Sequence, residues 1–113
     1  MRIYPLEKSL NLTIDDIAAD KSISHRCAIF SLLSDKPSRV RNYLRAGDTL
    51  NTLKIVQLLG ANVEDNGAEI IITPPQKIKE SNEILECGNS GTAMRLFMGL
   101  LAVRDGFFVL SGD

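Results

Sequence analysis

The residues with the clearest chemistry lie in positions 20–26, with the sequence DKSISHR. Lys21, Ser22 and Arg26 supply an ammonium, a hydroxyl and a guanidinium group, and Ser22 and Arg26 are spaced to share one helix face. If a helix begins here, its free backbone N–H groups and the positive end of its dipole also attract anions. The spacing therefore predicts a site for phosphate or carboxylate.

A second polar segment, positions 88–95 (GNSGTAMR), precedes another apolar run. Its glycines allow a backbone to approach a ligand closely, and Asn89 or Ser90 can cap a helix. Backbone N–H groups near Gly91 and Thr92 are suited to a carboxylate or phosphate. Taken alone, glycines before a helix are more often a purely structural turn.

The single histidine and the two cysteines are the other reactive side chains. His25 is one helical turn after Lys21, which leaves a general base possible but favours a surface or hydrogen-bonding histidine. Cys27 falls on the expected apolar face and is interpreted as core, and Cys87 adjoins the glycine turn. Neither cysteine has the partners of a thiol nucleophile, no cluster has metal-ligand spacing, and we expect a reduced chain without a disulfide.

A run of arginines and a lone aspartate complete the candidates. Arg39, Arg41 and Arg45, with Tyr43 nearby, favour a solvated strand face over a nucleic-acid surface. Asp48 is interpreted as a helix N-cap with no catalytic role.

Composition limits the class of protein. The chain has 113 residues, 44% of them apolar and 24% charged, with a net charge of −1. These values predict one modest domain with a real core and no global basic field for nucleic acid. Met1 leads into no signal-peptide core, and no apolar run is long enough to span a bilayer. We expect a cytoplasmic chain that does not bind membranes.

The hydrophobic pattern predicts a mixed α/β fold. Asn66-Gly67 favours a type I′ hairpin, and Ile23, Cys27 and Phe30 are predicted to form the buried stripe of the first helix. The predicted strands are 2–6, 10–14, 38–44, 61–65, 68–73, 83–87 and 107–110, and the predicted helices begin near Lys21, Asp48 and Gly91.

These elements repeat. Ser22 with Arg26 in the first polar segment is echoed by Thr92 with Arg95 in the second, each at a strand-to-helix turn. The pattern indicates a recurring strand–helix–strand–helix–hairpin unit, of which only the first copy and the start of the second are present. We therefore expect the chain to be a fragment.

Together the two polar segments resemble the enolpyruvyl transferase family, in their order, separation and flanking apolar helices. The resemblance covers essentially the whole chain and about the first quarter of such an enzyme. It implies transfer of the enolpyruvyl group of phosphoenolpyruvate to the 5-hydroxyl of shikimate 3-phosphate, with release of phosphate and no metal or organic cofactor. The pathway it implies leads to chorismate and the aromatic amino acids, and the same pocket is the target of the herbicide glyphosate.

The resemblance also assigns roles. Lys21 is implied to be catalytic, contacting phosphoenolpyruvate beside shikimate 3-phosphate, which Ser22 and Arg26 bind. Gly91, with its neighbours Asn89 and Thr92, is implied to line the phosphoenolpyruvate pocket.

The implied fold is an inverse α/β barrel of two domains, each built from three copies of the unit. Residues 1–19 would pair with the domain formed by the C-terminal half, and residues 20–113 would begin the other domain. The full-length enzyme is expected to be a monomer.

Departures from the family pattern are Ala18-Ala19 before the motif and Leu96 in place of a proline. The chain also stops before a substrate-binding arginine, the serine–glutamine contacts and the opposite domain's acids, so we expect these residues alone to be inactive. The alternatives are the sibling enzyme that acts on a UDP-amino sugar and a non-catalytic anion-binding module. The first would use the same lysine chemistry, and the second would fold cooperatively and bind a phosphorylated ligand by itself.

Overall fold

The computed structural model describes residues 1–113 and shows the mixed α/β architecture that the pattern predicts. Helices and strands alternate along most of the chain. The helices are α1 (Lys21–Ser31), α2 (Gly47–Leu58) and α3 (Gly91–Leu101), and the strands are β1 (Ser38–Arg41), β2 (Asn62–Asp65), β3 (Glu69–Thr73), β4 (Leu85–Glu86) and β5 (Leu110–Ser111).

Two small sheets support the helices. The larger is antiparallel with the order β1-β3-β2, and the smaller is a parallel pair of β4 and β5. Ile70 and Ile72 of β3 are fully buried beneath the helices. One cluster of apolar side chains joins the sheet to all three helices, and Phe97 of α3 is its largest fully buried member. None of the helices is long and apolar enough to span a bilayer.

The predicted hairpin forms, but not with type I′ geometry. Asp65 pairs with Ile70, and the Asn66 N–H donates to the Glu69 carbonyl at 3.2 Å, which together leave Gly67 and Ala68 at the tip. A type I′ turn needs positive φ at both central residues, whereas Gly67 alone has it here, at +88°. The Asn66 side chain instead accepts hydrogen bonds from the backbone N–H groups of Ala68 and Glu69.

The strands predicted at 2–6 and 10–14 are absent. Alternating apolar residues there, including Ile3, Leu10 and Ile14, are more than half exposed. An alternating pattern indicates only that a segment is able to form a half-buried strand. The strand itself forms only where a neighbouring strand pairs with its backbone through hydrogen bonds.

The apolar stripe predicted for α1 is also wrong. Ile23 and Phe30 are 62% and 49% exposed, and the buried face instead carries His25, Ala28 and Ile29. The stripe was predicted from the spacing of apolar residues alone, which cannot show that a histidine is buried when Thr52 and Ser90 satisfy its ring nitrogens. The strand predicted at 38–44 is shorter, because the backbone leaves β geometry at Asn42, where φ is +54°.

Candidate functional site

The N-terminal turns of the three helices converge at one place. α1 follows Asp20, whose carboxylate accepts a hydrogen bond from the N–H of Ile23 at 2.7 Å. α3 follows Ser90, whose hydroxyl oxygen accepts one from the N–H of Ala93 at 3.1 Å. Ser90, rather than Asn89, is therefore the cap of α3. Because helix N-termini carry partial positive charge, their convergence favours anions.

Lys21 joins the two polar segments. Its ammonium forms an ion pair with the carboxylate of Asp48 at the start of α2. Its Nζ also donates a hydrogen bond to the backbone oxygen of Asn89 at 3.4 Å. The Lys21 side chain keeps half of its surface exposed. The ammonium is thus positioned by two other elements and still accessible to a ligand.

Asp48 is a site residue, although its sequence position predicts only a helix N-cap. It is not the N-cap of α2, because that position is occupied by Ala46. The N–H of Ala46 donates to the Thr49 hydroxyl at 2.9 Å. Asp48 lies within the first turn, where its Oδ1 accepts from the Thr49 N–H at 3.0 Å. Its place at a helix start, like that of Lys21, was the one signal in the sequence.

The charge state of Asp48 follows from its surroundings. Partial burial alone would raise the pKa of this carboxyl. The hydrogen bond and charge of Lys21, together with the Thr49 N–H, outweigh that effect and hold the pKa below its usual range. Asp48 is therefore ionised at neutral pH and attracts the ammonium.

Ser22 and Arg26 lie on one face of α1, as their spacing predicts. The Arg26 Nη1 donates to the backbone oxygen of Ser22 at 3.0 Å, and the Arg26 side chain is exposed. No carboxylate is ion-paired with Arg26. Its charge is therefore available to an anion beside Lys21.

The second polar segment presents backbone donors next to Lys21. The first backbone hydrogen bond of α3 runs from the Met94 N–H to the Ser90 carbonyl. The N–H groups of Gly91 and Thr92 precede it and lie outside the helical ladder. Gly91 and Asn89 are exposed. All the residues singled out in this segment thus lie at the helix start that faces Lys21.

Gly88 sets the turn that precedes this segment. Its φ is +58°, and a Cβ there would lie 3.0 Å from the side-chain nitrogen of Asn51. Glu86 supports the turn, since its carboxylate accepts hydrogen bonds from the Gly88 N–H at 2.8 Å and from the Ser111 hydroxyl. These two bonds lower the pKa of Glu86. The parallel β4–β5 pair thereby anchors the turn.

His25 lies beneath the site and is fully buried. Its Nδ1 is 2.7 Å from the Thr52 hydroxyl oxygen of α2, and its Nε2 is 3.0 Å from the Ser90 hydroxyl oxygen. The hydrogen-bonding interpretation is therefore confirmed and the surface one is wrong. The pKa of His25 falls below 6.5, mainly because burial removes the ring from water. The charge of Asp48 raises this pKa, whereas the charges of Lys21 and Arg26 lower it further.

Both cysteines carry free thiols. Cys87 is fully buried, and its burial, with the neighbouring charge of Glu86, raises its pKa to about 11. It is therefore a neutral core residue, although it adjoins the glycine turn in the sequence. Cys27 is only half-buried, because the buried face of α1 differs from the predicted one. No group of three His, Cys, Asp or Glu side chains is arranged to hold a metal ion.

The arginines near β1 are ion-paired at the surface. Arg39 binds Glu69 at 2.9 Å, and Arg45 binds Asp65 at 2.7 Å. Arg41 lies 3.7 Å from the same Glu69 carboxylate. This arrangement supports the solvated-face interpretation, because the charges are already neutralised by local partners.

Comparisons with known proteins identify related sequences and a related fold. A family model described as EPSP synthase (3-phosphoshikimate 1-carboxyvinyltransferase) matches residues 6–113. The chain is 94% identical over its whole length to a 3-phosphoshikimate 1-carboxyvinyltransferase of Campylobacter concisus, and covers 26% of that protein. A protein of the same name from Campylobacter curvus is 70% identical, again over the whole chain and 27% of the relative.

A solved structure of EPSP synthase from Acinetobacter baumannii superimposes with a TM-score of 0.77 at 32% identity. The superposition covers 86% of this chain and 23% of that one. The chain thus spans about a quarter of the length of the relatives it matches. With a family match over nearly all of its residues, the chain belongs to the EPSP synthase (3-phosphoshikimate 1-carboxyvinyltransferase) family.

Proposed function

We propose that this chain forms part of an enzyme that transfers the enolpyruvyl group of phosphoenolpyruvate to the 5-hydroxyl of shikimate 3-phosphate. The family match and the names of its relatives support this activity. The observation that carries it is the position of Lys21, between the Asp48 carboxylate and the Asn89 backbone oxygen. That position brings together two segments that are distant in the sequence.

The site chemistry suits two polyanionic substrates. Lys21, Ser22 and Arg26 offer cationic and hydroxyl groups on one side, and the N–H groups of Gly91 and Thr92 offer donors on the other. Such donors at helix starts bind phosphate and carboxylate groups. We assign shikimate 3-phosphate to Ser22 and Arg26, and phosphoenolpyruvate to Gly91 with its neighbours Asn89 and Thr92.

Lys21 serves the reaction where the two substrates meet. In the addition step, the 5-hydroxyl oxygen loses its proton and bonds to C2 of phosphoenolpyruvate, while a proton is added to C3 and the C2–C3 double bond becomes single. In the elimination step, the C2–O bond to phosphate breaks and C3 loses a proton, which restores the double bond. A half-exposed ammonium beside both reactants stabilises their negative charge, and the ion pair with Asp48 keeps it in place.

The N-terminal residues have a separate proposed role. Residues 1–19 form no strand and expose an alternating series of apolar side chains. We propose that they pair with strands of a domain that the C-terminal half of a longer product supplies. Both the monomeric state and the cytoplasmic location of such a product stay predictions.

The activity is tested by phosphate release from phosphoenolpyruvate with shikimate 3-phosphate as the acceptor. The sample is the product of the native gene, with its length verified by intact mass. Release that falls by about a hundredfold to a thousandfold in Lys21→Ala, as for a group that stabilises a transition state directly, supports the proposal. Lys54→Ala is the matched control, because Lys54 is exposed on α2 and has no ion-pair partner.

Other outcomes would overturn the assignment. Release with a UDP-amino sugar, but not with shikimate 3-phosphate, would move the chain to the sibling reaction. A folded product that releases phosphate with neither acceptor would favour the anion-binding module.

A further inference from the structure

We propose that His25 is a positioning residue that couples the two halves of the site, acting as an uncharged imidazole protonated on Nδ1. The inference deepens the proposed function and rests on it for its kinetic consequences. It stands on a continuous series of hydrogen bonds, buried on both sides of His25, that connects all three helices.

The series starts at Asp48. The Thr52 hydroxyl lies 3.2 Å from the Asp48 backbone oxygen and donates to it. Because its proton is used there, Thr52 accepts from His25 Nδ1–H over 2.7 Å. The unprotonated Nε2 then accepts from the Ser90 hydroxyl over 3.0 Å, and the Ser90 oxygen accepts from the Ala93 N–H at 3.1 Å.

Only this placement of the protons gives every hydrogen-bond donor in the series an acceptor. With the proton on Nε2 instead, the Ser90 hydroxyl would lose its acceptor and the bond from Thr52 to Asp48 would be lost. Ser90, Thr52 and His25 are each at most 5% exposed, so solvent cannot replace a missing partner. Buried polar groups without partners are rare and costly. An imidazolium would also present a second proton to Ser90, next to the positive N-terminus of α3.

The consequence concerns the substrate donors. Asp48 holds the Lys21 ammonium, and Ser90 caps the helix whose first N–H groups face it. His25 lies between Asp48 and Ser90 in the series and is not exposed at the site where the substrates would bind. With both ring nitrogens engaged and no exposed surface, it cannot be the general base that its sequence position left open.

Two variants separate the two contacts. In His25→Asn the amide nitrogen can replace Nδ1 toward Thr52, but nothing accepts from Ser90. In Ser90→Ala the Nε2 acceptor loses its donor and the Ala93 N–H loses its cap, a second loss that the double variant shares and that therefore cancels in the comparison. We expect each single variant to lower kcat/KM for phosphoenolpyruvate by about tenfold, mainly through KM, because a buried polar group loses its partner. KM for shikimate 3-phosphate should change little.

The double variant His25→Asn/Ser90→Ala is the decisive comparison. It removes both ends of the broken bond, so its loss should be smaller than the product of the two single losses. Ser31→Ala is the control, because Ser31 is buried on the same helix but bonds only to the Cys27 backbone oxygen. It should leave both KM values unchanged.

A spectroscopic measurement is independent of activity. Long-range ¹⁵N–¹H correlation spectra of the folded gene product, with the His25 signals assigned by comparison with His25→Asn, should show the Nδ1–H tautomer at neutral pH. An Nε2–H tautomer or an imidazolium would overturn the proposal, as would single-variant losses that multiply independently. If the wild-type protein transfers no enolpyruvyl group, the proposed function fails. The role of His25 is then still decided by the tautomer and by the free energies of unfolding of the two single variants and the double variant.

Discussion

The Lys21 ammonium is ion-paired with the carboxylate of Asp48, a residue of a different helix. The two side chains differ in exposure, because the lysine is half exposed whereas only 11% of the Asp48 side-chain surface is exposed. Asp48 is therefore the fixed partner and Lys21 the accessible one. This relationship orients the cation for a ligand instead of leaving it free in solvent.

Substitution Asp48→Asn tests that orientation. The amide retains the hydrogen bond from the Thr49 N–H but removes the negative charge that holds Lys21. We expect kcat/KM for phosphoenolpyruvate to fall by about tenfold, while stability changes by less than about 1 kcal/mol because the lysine is largely solvated. Steady-state kinetics and urea unfolding of the gene product measure both quantities.

The matched control for Asp48→Asn is Asp65→Asn, which neutralises the carboxylate of the Arg45 ion pair away from the site. It should leave the kinetics unchanged. A tighter affinity for phosphoenolpyruvate in Asp48→Asn would contradict the prediction, because it would mean that Asp48 competes with the substrate for Lys21.

Acid should destabilise the protein through His25. Burial lowers the pKa of this residue in the folded state below 6.5, so the unfolded chain binds a proton that the folded chain does not. The free energy of unfolding therefore falls as pH drops below about 6.5 and is independent of His25 above it. Urea unfolding at a series of pH values, compared with His25→Asn, isolates this contribution. An identical pH dependence in the variant would refute it.

Gly88→Ala and Gly99→Ala should have opposite effects on stability. Gly88 has φ +58° and packs closely against Asn51, so alanine should destabilise by about 1–2 kcal/mol. Gly99 lies within α3 with open space around it, so alanine there should stabilise by roughly 0.5–1 kcal/mol. Denaturant unfolding of both variants checks the pair, and a neutral Gly88→Ala would show that the turn is not strained.

The backbone amides of residues 1–19 should exchange with solvent at different rates in the 113-residue chain and in the native gene product. In the 113-residue chain expressed by itself the backbone of these residues has no strand partner, so its amides should exchange with solvent rapidly. In the native gene product, pairing with a second domain should slow exchange at alternate apolar positions such as Leu10 and Leu12. Hydrogen–deuterium exchange measured on both samples compares them directly. Rapid exchange in both would remove the basis for assigning these residues to a second domain.

Local sequence was sufficient for several features of this protein. Asp20 and Ser90 cap helices because their side chains bond to N–H groups three residues later, which is a property of short segments. The apolar side of α3 follows its helical period, with Ala93, Phe97 and Leu101 buried. The motif residues were found at the correct helix starts for the same reason, and the combination of the two motifs also indicated the family.

The remaining features depended on partners that are distant in the sequence. His25 is buried because Thr52 and Ser90 satisfy its ring nitrogens, and Asp48 is a site residue because the fold brings Lys21 to it. The alternating pattern of residues 2–14 could not show whether a neighbouring strand is present. The sequence by itself located the three helix starts and the chemical groups beside them, although it assigned the N-cap of α2 to Asp48 instead of Ala46. Only the tertiary structure decided which of those groups meet, because hydrogen bonds and ion pairs depend on distances in space.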